Sequence, residues 1–148
     1  MRRKETGMPR FGENTLALVE VMSGPMDGMK VKINKRVVSI GRLEKYRLCL
    51  NCGHRFADGF ECPRCRSPRI KIEENDIALP LDSFTSRIHA KITFEGERVW
   101  LQDLGSTNKT YLVKGDSLKR VVEKEALGDG DMFLIGHTYL RFKTENLT

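Results

Sequence analysis

The sequence has no long hydrophobic run. Its longest apolar stretches, LALVEVM and DMFLIG, have only the length of a strand and are interrupted by charge. A helix that spans a bilayer needs about 20 consecutive apolar residues, so neither stretch predicts a membrane span. The start, MRRKETGMPR, is basic, but no apolar segment suited to secretion follows it. We therefore expect a soluble, cytoplasmic protein without a membrane partner.

Sustained helical periodicity is also missing. No window keeps an apolar period of 3.6 residues, and RVVEKEAL, the best helical candidate, is short. Segments of strand length fill the chain instead, among them TLALVEV, MKVKI, VVSI, DIALPL, RIHAKITF, VWLQDL, TYLV, DMFLIG and TYLRF. Short polar separators that mostly contain glycine, such as FEGER, GSTNK, KGDS and GDGD, lie between them. This pattern predicts an all-β sandwich of antiparallel hairpins.

Charge of one sign is not concentrated anywhere. The chain has 26 Lys and Arg against 20 Asp and Glu, a net charge of +6. This excess suits an acidic or phosphorylated partner, but its even spread disfavours a dedicated nucleic-acid surface. A chain of 148 residues has room for one main domain and a small module. We expect a loose N-terminal arm over residues 1–14, a sandwich over 15–143 and a tail over 144–148.

Cysteine is scarce, and all of it lies in CLNCGHRFADGFECPRC. The four thiols form two Cys-x-x-Cys pairs: Cys49, Cys52, Cys62 and Cys65. Intracellular thiols stay reduced, so a metal explains these pairs better than disulfides do. Two such knuckles make a closed tetrahedral site for one structural zinc ion, with no open position for catalysis. A redox or disulfide role and an iron site are the alternatives.

The cysteine segment resembles the short zinc ribbons of prokaryotic proteins, and we assign residues 43–74 to a zinc-ribbon insertion. His54 follows the first knuckle and is interpreted as a surface residue, not as a spare ligand. The insertion contains seven basic and five acidic residues. A zinc tetrathiolate adds about two negative charges, so the module is close to neutral and poorly suited to clamping a phosphate backbone.

Four motifs follow one another once the insertion is set aside: SIGR, NDIALPLDSFTSRIHAKITF, WLQDLGSTNKTYL and ALGDGDMFLIG. In this order they resemble a forkhead-associated (FHA) domain, a β-sandwich that binds phosphothreonine peptides. The similarity covers roughly residues 15 to 143. It implies two packed antiparallel sheets with the binding loops at one end.

The resemblance places three residues on the phosphate. Arg42 ends the SIGR motif, where its guanidinium can form two charge-assisted hydrogen bonds, as the matching arginine of the family does. Ser86 matches the serine whose hydroxyl and neighbouring backbone N–H bind phosphate. Arg87 occupies a position that commonly supplies a further polar or basic phosphate contact, although it could also point to solvent.

Four more residues take roles from the family, and a fifth departs from its pattern. Thr107 matches a position near the γ-methyl of phosphothreonine, and the Asn108 amide matches one that pairs with the peptide backbone. Both residue types also simply shape turns. Gly41 and His89 are interpreted as structural. Lys109 departs from the family pattern, because a glycine usually stands there and takes φ > 0 without strain.

No nucleophile, base and oxyanion donors converge in any motif, so we do not expect an enzyme. The resemblance implies an adaptor in Ser/Thr-kinase-dependent signalling, with the structural zinc ribbon beside its binding loops. Its partner would carry phosphothreonine and would be a substrate of the kinase or the kinase itself. Two alternatives remain open. The ribbon could serve a nucleic-acid-associated factor, or Lys109 could mark a degenerate sandwich used only for assembly.

Overall fold

The computed structural model describes residues 15–144, so the predicted arm over residues 1–14 and most of the predicted tail lie outside the described residues. Within residues 15–144 the chain forms strands and no helix, and the all-β prediction is confirmed. Accordingly, this part of the chain contains no helix that could cross a membrane. The strands, in chain order, are β1 (Ala17–Val21), β2 (Lys30–Ile33), β3 (Val37–Gly41), β4 (Lys45–Cys49), β5 (Arg55–Phe56), β6 (Ile70–Glu74), β7 (Ile77–Ala78), β8 (Ala90–Glu95), β9 (Arg98–Asp103), β10 (Thr110–Lys114), β11 (Ser117–Arg120), β12 (Lys124–Ala126), β13 (Met132–Ile135) and β14 (Thr138–Lys143).

Two large sheets form the sandwich. One has six strands in the order β11-β10-β13-β14-β1-β2, and the other has five in the order β12-β9-β8-β3-β7. Burial alternates along the strands, as expected when one face of a sheet packs on a core. In β1 and β14 alternate residues are buried and the residues between them are partly exposed. RVVEKEAL is extended, since it contains the end of β11 and the edge strand β12.

The core lies between the two large sheets. Side chains with no more than 2% exposure meet there from both faces, among them Val19, Ile40, Ile92, Leu101 and Phe142. Fully burying side chains of this size contributes about 1.5–3 kcal/mol each. The core therefore holds the strand ends rigidly and leaves the connecting loops to form a site.

One strand pair is parallel. Ile40 lies opposite Ile77 where β7 pairs with β3, whereas the other pairs of both large sheets are antiparallel. A parallel pair needs a long crossover connection. The cysteine segment supplies it, because it occupies the chain between β3 and β7.

We call this crossover, residues 43–74, the ribbon. It has a three-stranded antiparallel sheet in the order β5-β4-β6, inside the predicted bounds 43–74. A second apolar cluster forms beneath it from Cys49, Phe56 and Cys62, with Cys65 and Ile70 packed at its side. This cluster is too small to be a hydrophobic core that could fold alone.

Candidate phosphate-binding groove and cysteine cluster

An open groove of about 520 Å³ lies where the end of β3 meets the loop before β8 and the loop after β9. Its lining includes all five residues predicted to contact a phosphopeptide: Arg42, Ser86, Arg87, Thr107 and Asn108. The rest of the lining is Arg55, Ser83, Phe84, Thr85, Ile88 and Leu104. The tertiary structure thus gathers residues that lie up to 66 positions apart along the chain, from 42 to 108.

Ser86 joins two of these segments. Its carbonyl oxygen accepts a hydrogen bond from the backbone N–H of Arg42 at 2.9 Å, and its Oγ accepts one from the backbone N–H of Thr107 at 3.0 Å. Because the hydroxyl is the acceptor in the second bond, its own proton remains available to another oxygen. Arg42, Ser86 and Thr107 therefore form one contiguous polar surface in the groove.

His89 lies fully buried beneath this surface. The backbone N–H of Ser86 donates to ring Nδ1 at 3.0 Å, so Nδ1 carries no proton and Nε2–H donates to the Lys109 carbonyl at 2.9 Å. Burial lowers the pKa of His89, which favours this neutral ring. The ring bonds the backbone of Ser86 and not its hydroxyl, so the pair lacks the contact that would activate a nucleophile.

Lys109 has a φ of 68°, which is the left-handed conformation that the glycine usual at this family position takes without strain. Its carbonyl oxygen accepts the His89 bond, and its Nζ lies 3.4 Å from the carbonyl oxygen of Ser106. The loop geometry that the sequence put in doubt is therefore kept, at a cost of about 1–2 kcal/mol for a residue with a side chain.

Asn108 ties the loop after β9 to the loop before β8. Its Nδ2 donates to the carbonyl oxygen of Phe84 at 2.9 Å, and no donor among residues 15–144 bonds its Oδ1. The ring of Phe84 stacks on His137 with 3.9 Å between ring centroids. The amide thus holds the rim of the groove and keeps its acceptor for another N–H group.

Two buried or partly buried carboxylates hold the loops, and sequence patterns did not single them out. Asp103 accepts hydrogen bonds from Ser106 and from Thr110 Oγ1, the latter at 2.7 Å. Asp82 accepts one from Thr138 Oγ1 at 2.6 Å. Burial raises the pKa of both carboxyls, but these hydrogen bonds outweigh it and hold each pKa below its usual range.

Gly41 and Asn75 fasten the base of the ribbon to the groove. Asn75, which is 5% exposed, donates from Nδ2 to the carbonyl oxygens of Leu43 at 2.6 Å and Arg87 at 2.9 Å. A Cβ on Gly41 would lie 2.6 Å from that Nδ2 and would overlap the Arg87 carbonyl oxygen. Only glycine leaves room for this contact.

The groove is basic and has no carboxylate in its lining. Three guanidinium groups line it, from Arg42, Arg87 and the ribbon residue Arg55, which no motif indicated. None of the three forms a salt bridge within residues 15–144. Uncompensated arginines beside a free hydroxyl proton make a site for an anion with several oxygens, such as phosphate.

The four thiols converge in the ribbon. Their Sγ atoms all lie within 4.8 Å of one another, and those of Cys49 and Cys65, like those of Cys52 and Cys62, are 3.6 Å apart. Four sulfurs at about 2.3 Å from one zinc ion would be separated by about 3.8 Å in a tetrahedron. The donor set and its spacing therefore fit a single metal ion.

Backbone geometry supports the same fit. Two successive N–H groups donate to the first sulfur of each knuckle, at 3.3–3.4 Å in the Cys49 knuckle and at 3.4 Å in the Cys62 knuckle. The two knuckles are alike in the residue that follows, since Gly53 and Arg66 both have positive φ, of 80° and 67°. A hydrogen bond from the Asn51 amide lowers the pKa of Cys65 to about 6 and favours the thiolate.

Comparison with known proteins agrees with this architecture. Residues 66–136 match the family model of the FHA domain. No curated protein is similar to the chain in sequence. Among the solved structures that are similar in fold are three with 18–22% sequence identity.

The first is a domain from an analysis of phosphothreonine-dependent FHA domain interactions. It has a TM-score of 0.57 and 22% identity, and the match covers 90% of this chain and 100% of that one. EmbR of Mycobacterium tuberculosis, in complex with a low-affinity phosphopeptide, has a TM-score of 0.60 and 21% identity over 90% of this chain and 26% of that one. The FHA domain of CT664 from Chlamydia trachomatis has a TM-score of 0.59 and 18% identity over 89% of this chain and 100% of that one.

Proposed function

We propose that this chain is an FHA domain protein and acts as an adaptor that binds phosphothreonine peptides in its groove. The observation that carries this function is the joined surface of Arg42, Ser86 and Thr107 in a groove with three arginines and no carboxylate. Solved relatives support it, since one was studied for phosphothreonine-dependent interactions and another contains a phosphopeptide. The FHA domain is a non-catalytic binding module, so the expected output is protein–protein contact.

Each groove residue has a distinct task in this proposal. The guanidinium groups of Arg42 and Arg87 bind phosphate oxygens, and the Ser86 hydroxyl donates its free proton to a third oxygen. Thr107 lies beside the γ-methyl of phosphothreonine. The Oδ1 of Asn108 accepts a backbone N–H of the peptide, while its Nδ2 keeps the groove rim in place.

The partner is proposed to be a phosphothreonine protein made by a Ser/Thr kinase, either a substrate or the kinase itself. One solved relative supports a protein partner, since the FhaA FHA domain was solved in complex with the intracellular domain of Rv3910. Purification of partners from cells treated with a phosphatase or left untreated tests this. Equal recovery from both would contradict a phosphorylated partner.

We further propose that the four cysteines hold one structural zinc ion and that the protein works in the cytoplasm, where thiols stay reduced. When bound, zinc joins the two knuckles and supplies the folding energy that the small ribbon cluster lacks. Metal analysis of purified protein should give one zinc per chain. Iron in place of zinc, or localisation of a tagged protein outside the cytoplasm, would contradict the respective part.

Calorimetric titration tests the binding function directly. A phosphothreonine peptide library should bind, and its unphosphorylated and phosphoserine counterparts should bind more weakly or not at all. Arg42→Ala removes charge-assisted bonds worth about 1.5–3 kcal/mol and should weaken binding by about ten- to a hundredfold. Arg98→Ala is the matched control, because Arg98 is exposed at the far end of β9 from the groove. Failure of every phosphopeptide to bind would reject the function and favour nucleic acid or assembly.

A further inference from the structure

The ribbon contributes a charged side chain to the groove. Arg55 is the first residue of β5, where it lies opposite Leu48 of β4, and it lines the groove together with Arg42 and Arg87. The family motifs do not include this position, because it belongs to the insertion. The insertion therefore adds to the groove an arginine that the sandwich alone would lack.

Strand alternation explains why Arg55 faces the groove. Its neighbour Phe56 is 6% exposed and packs against Cys49 and Cys62, so the preceding side chain projects from the opposite face of β5. That face is the one turned toward Ile88 and Leu104 of the sandwich. The cysteine cluster and Arg55 thus occupy the two sides of one short strand.

Tyr46 is a neighbour of Arg55 in the ribbon. Burial and then the nearby Glu73 raise the pKa of Tyr46, and the adjacent Arg55 cation opposes this rise. Tyr46 is only 5% exposed, so it is a rigid neighbour. The Asn75 hydrogen bonds to Leu43 and Arg87 hold the whole ribbon base against the phosphate loop.

Arg55 stands at the exit from the groove. A second hollow, of about 540 Å³, runs along the ribbon, and the two hollows share Arg55, Ile88 and Leu104 in their linings. Arg42 is bonded through its backbone to Ser86 at the phosphate end, whereas Arg55 stands where an extended peptide would pass on to the second hollow. The third guanidinium is therefore displaced toward residues that flank the phosphothreonine.

We infer that Arg55 determines specificity: among phosphothreonine peptides it selects those with a second anionic group near the phosphothreonine. This inference rests on the proposed phosphopeptide function. The second anionic group must offer two or three oxygens that a guanidinium can bind through parallel N–H donors. A carboxylate side chain and a second phosphate both meet this requirement, and binding data distinguish them.

The test is a titration of fluorescent phosphothreonine peptides. One peptide has neutral flanks, a series carries a single Asp at each flanking position in turn, and a further peptide carries a second phosphothreonine at the best position. We expect a preference of about fivefold for the best Asp peptide and about tenfold or more for the second phosphate. Equal gains from both would mean that charge alone is read, and a gain from phosphate only would identify a doubly phosphorylated ligand.

The variants locate the preference. Arg55→Ala and Arg55→Gln should abolish it, because they should weaken binding of the best Asp peptide about fivefold more than binding of the neutral-flank peptide, and Arg55→Glu should instead favour Lys at the same position. Arg69→Ala, another exposed ribbon arginine outside both hollows, should keep the preference. A preference that survives in Arg55→Gln, or no preference in the wild type, would overturn the inference alone. If the wild-type protein binds no phosphothreonine peptide at all, the proposed function is overturned as well.

Discussion

The ring of His89 connects Ser86 to Lys109 across the base of the groove. Nδ1 accepts the backbone N–H of Ser86 at 3.0 Å, and Nε2 bonds the carbonyl oxygen of Lys109 at 2.9 Å. One buried side chain thereby sets the positions of two loops that come from different parts of the chain. The protonation state of this ring should therefore affect both stability and binding.

Stability should decrease as the pH falls below about 6.5. The folded state lowers the pKa of His89, so the unfolded state binds a proton more readily. The contribution is complete above the ordinary pKa of about 6.5 and is lost as the pH falls toward the folded pKa, with a slope of up to about 1.4 kcal/mol per pH unit. Urea unfolding at pH 7.5, 6.5 and 5.5 measures this slope.

His89→Asn is the control for that measurement. Asn cannot titrate, so the variant should be less stable at every pH but should lack the slope between pH 6.5 and 5.5. An unchanged slope in the variant would assign the effect to another group.

Lys109→Gly should increase the free energy of unfolding by up to about 1 kcal/mol. Glycine adopts the observed φ of 68° without the strain that lysine bears there, although greater freedom in the unfolded chain offsets part of the gain. Lys109→Ala keeps the strain and should give no gain. A destabilised Lys109→Gly protein would mean that the lysine side chain contributes more than its bond to Ser106.

Gly41→Ala should destabilise the protein by about 1–3 kcal/mol and weaken phosphopeptide binding. The added Cβ would overlap the Arg87 carbonyl oxygen and press on Asn75, both of which hold the ribbon base to the groove. Gly128→Ala is a matched control, because its Cβ would make only ordinary contact at 3.6 Å. Thermal unfolding and peptide titration of both variants give the comparison, and equal effects would refute the steric argument.

Removal of zinc should unfold the ribbon and leave the sandwich folded. A chelator should unfold the three-stranded sheet, since its apolar cluster is small, while the sandwich core stays folded. Phosphothreonine binding should then persist, and the preference for a second anion should disappear with the positioning of Arg55. Amide NMR spectra with and without chelator, together with the titrations, test this. Complete unfolding of the sandwich would show that the two parts are not separable.

Much of the fold was accessible from the sequence because it depends on local patterns. Alternating apolar residues in β1 and β14 and glycine-bearing separators predict strands directly. The two Cys-x-x-Cys pairs predicted the cluster of four thiols that could hold a metal ion, because a knuckle is a local structure. The parallel pairing of β7 with β3 was not predicted, since it depends on how the insertion crosses between them.

Some groove residues could be predicted from sequence motifs, and others could not. Arg42, Ser86 and Asn108 stand in recognisable motifs, and the structure brings them together; their contacts with a ligand stay predictions. Asp82 and Asp103 had no signal beyond being acidic residues near turns, because their role comes from hydrogen bonds that the folded loops provide. No sequence pattern indicated a role for Arg55.

The sequence by itself determined the all-β architecture and the cluster of four cysteines, because periodicity and motif spacing are properties of neighbouring residues. Its resemblance to a family supplied the candidate phosphate residues. Only the tertiary structure decided that Lys109 keeps the left-handed turn, that His89 is a neutral bridge, and that Arg55 lies in the groove. The physical reason is that these outcomes depend on burial and on the relative placement of two sheets and a ribbon. No local stretch of the chain encodes that placement, since it results from packing between residues that are distant in sequence.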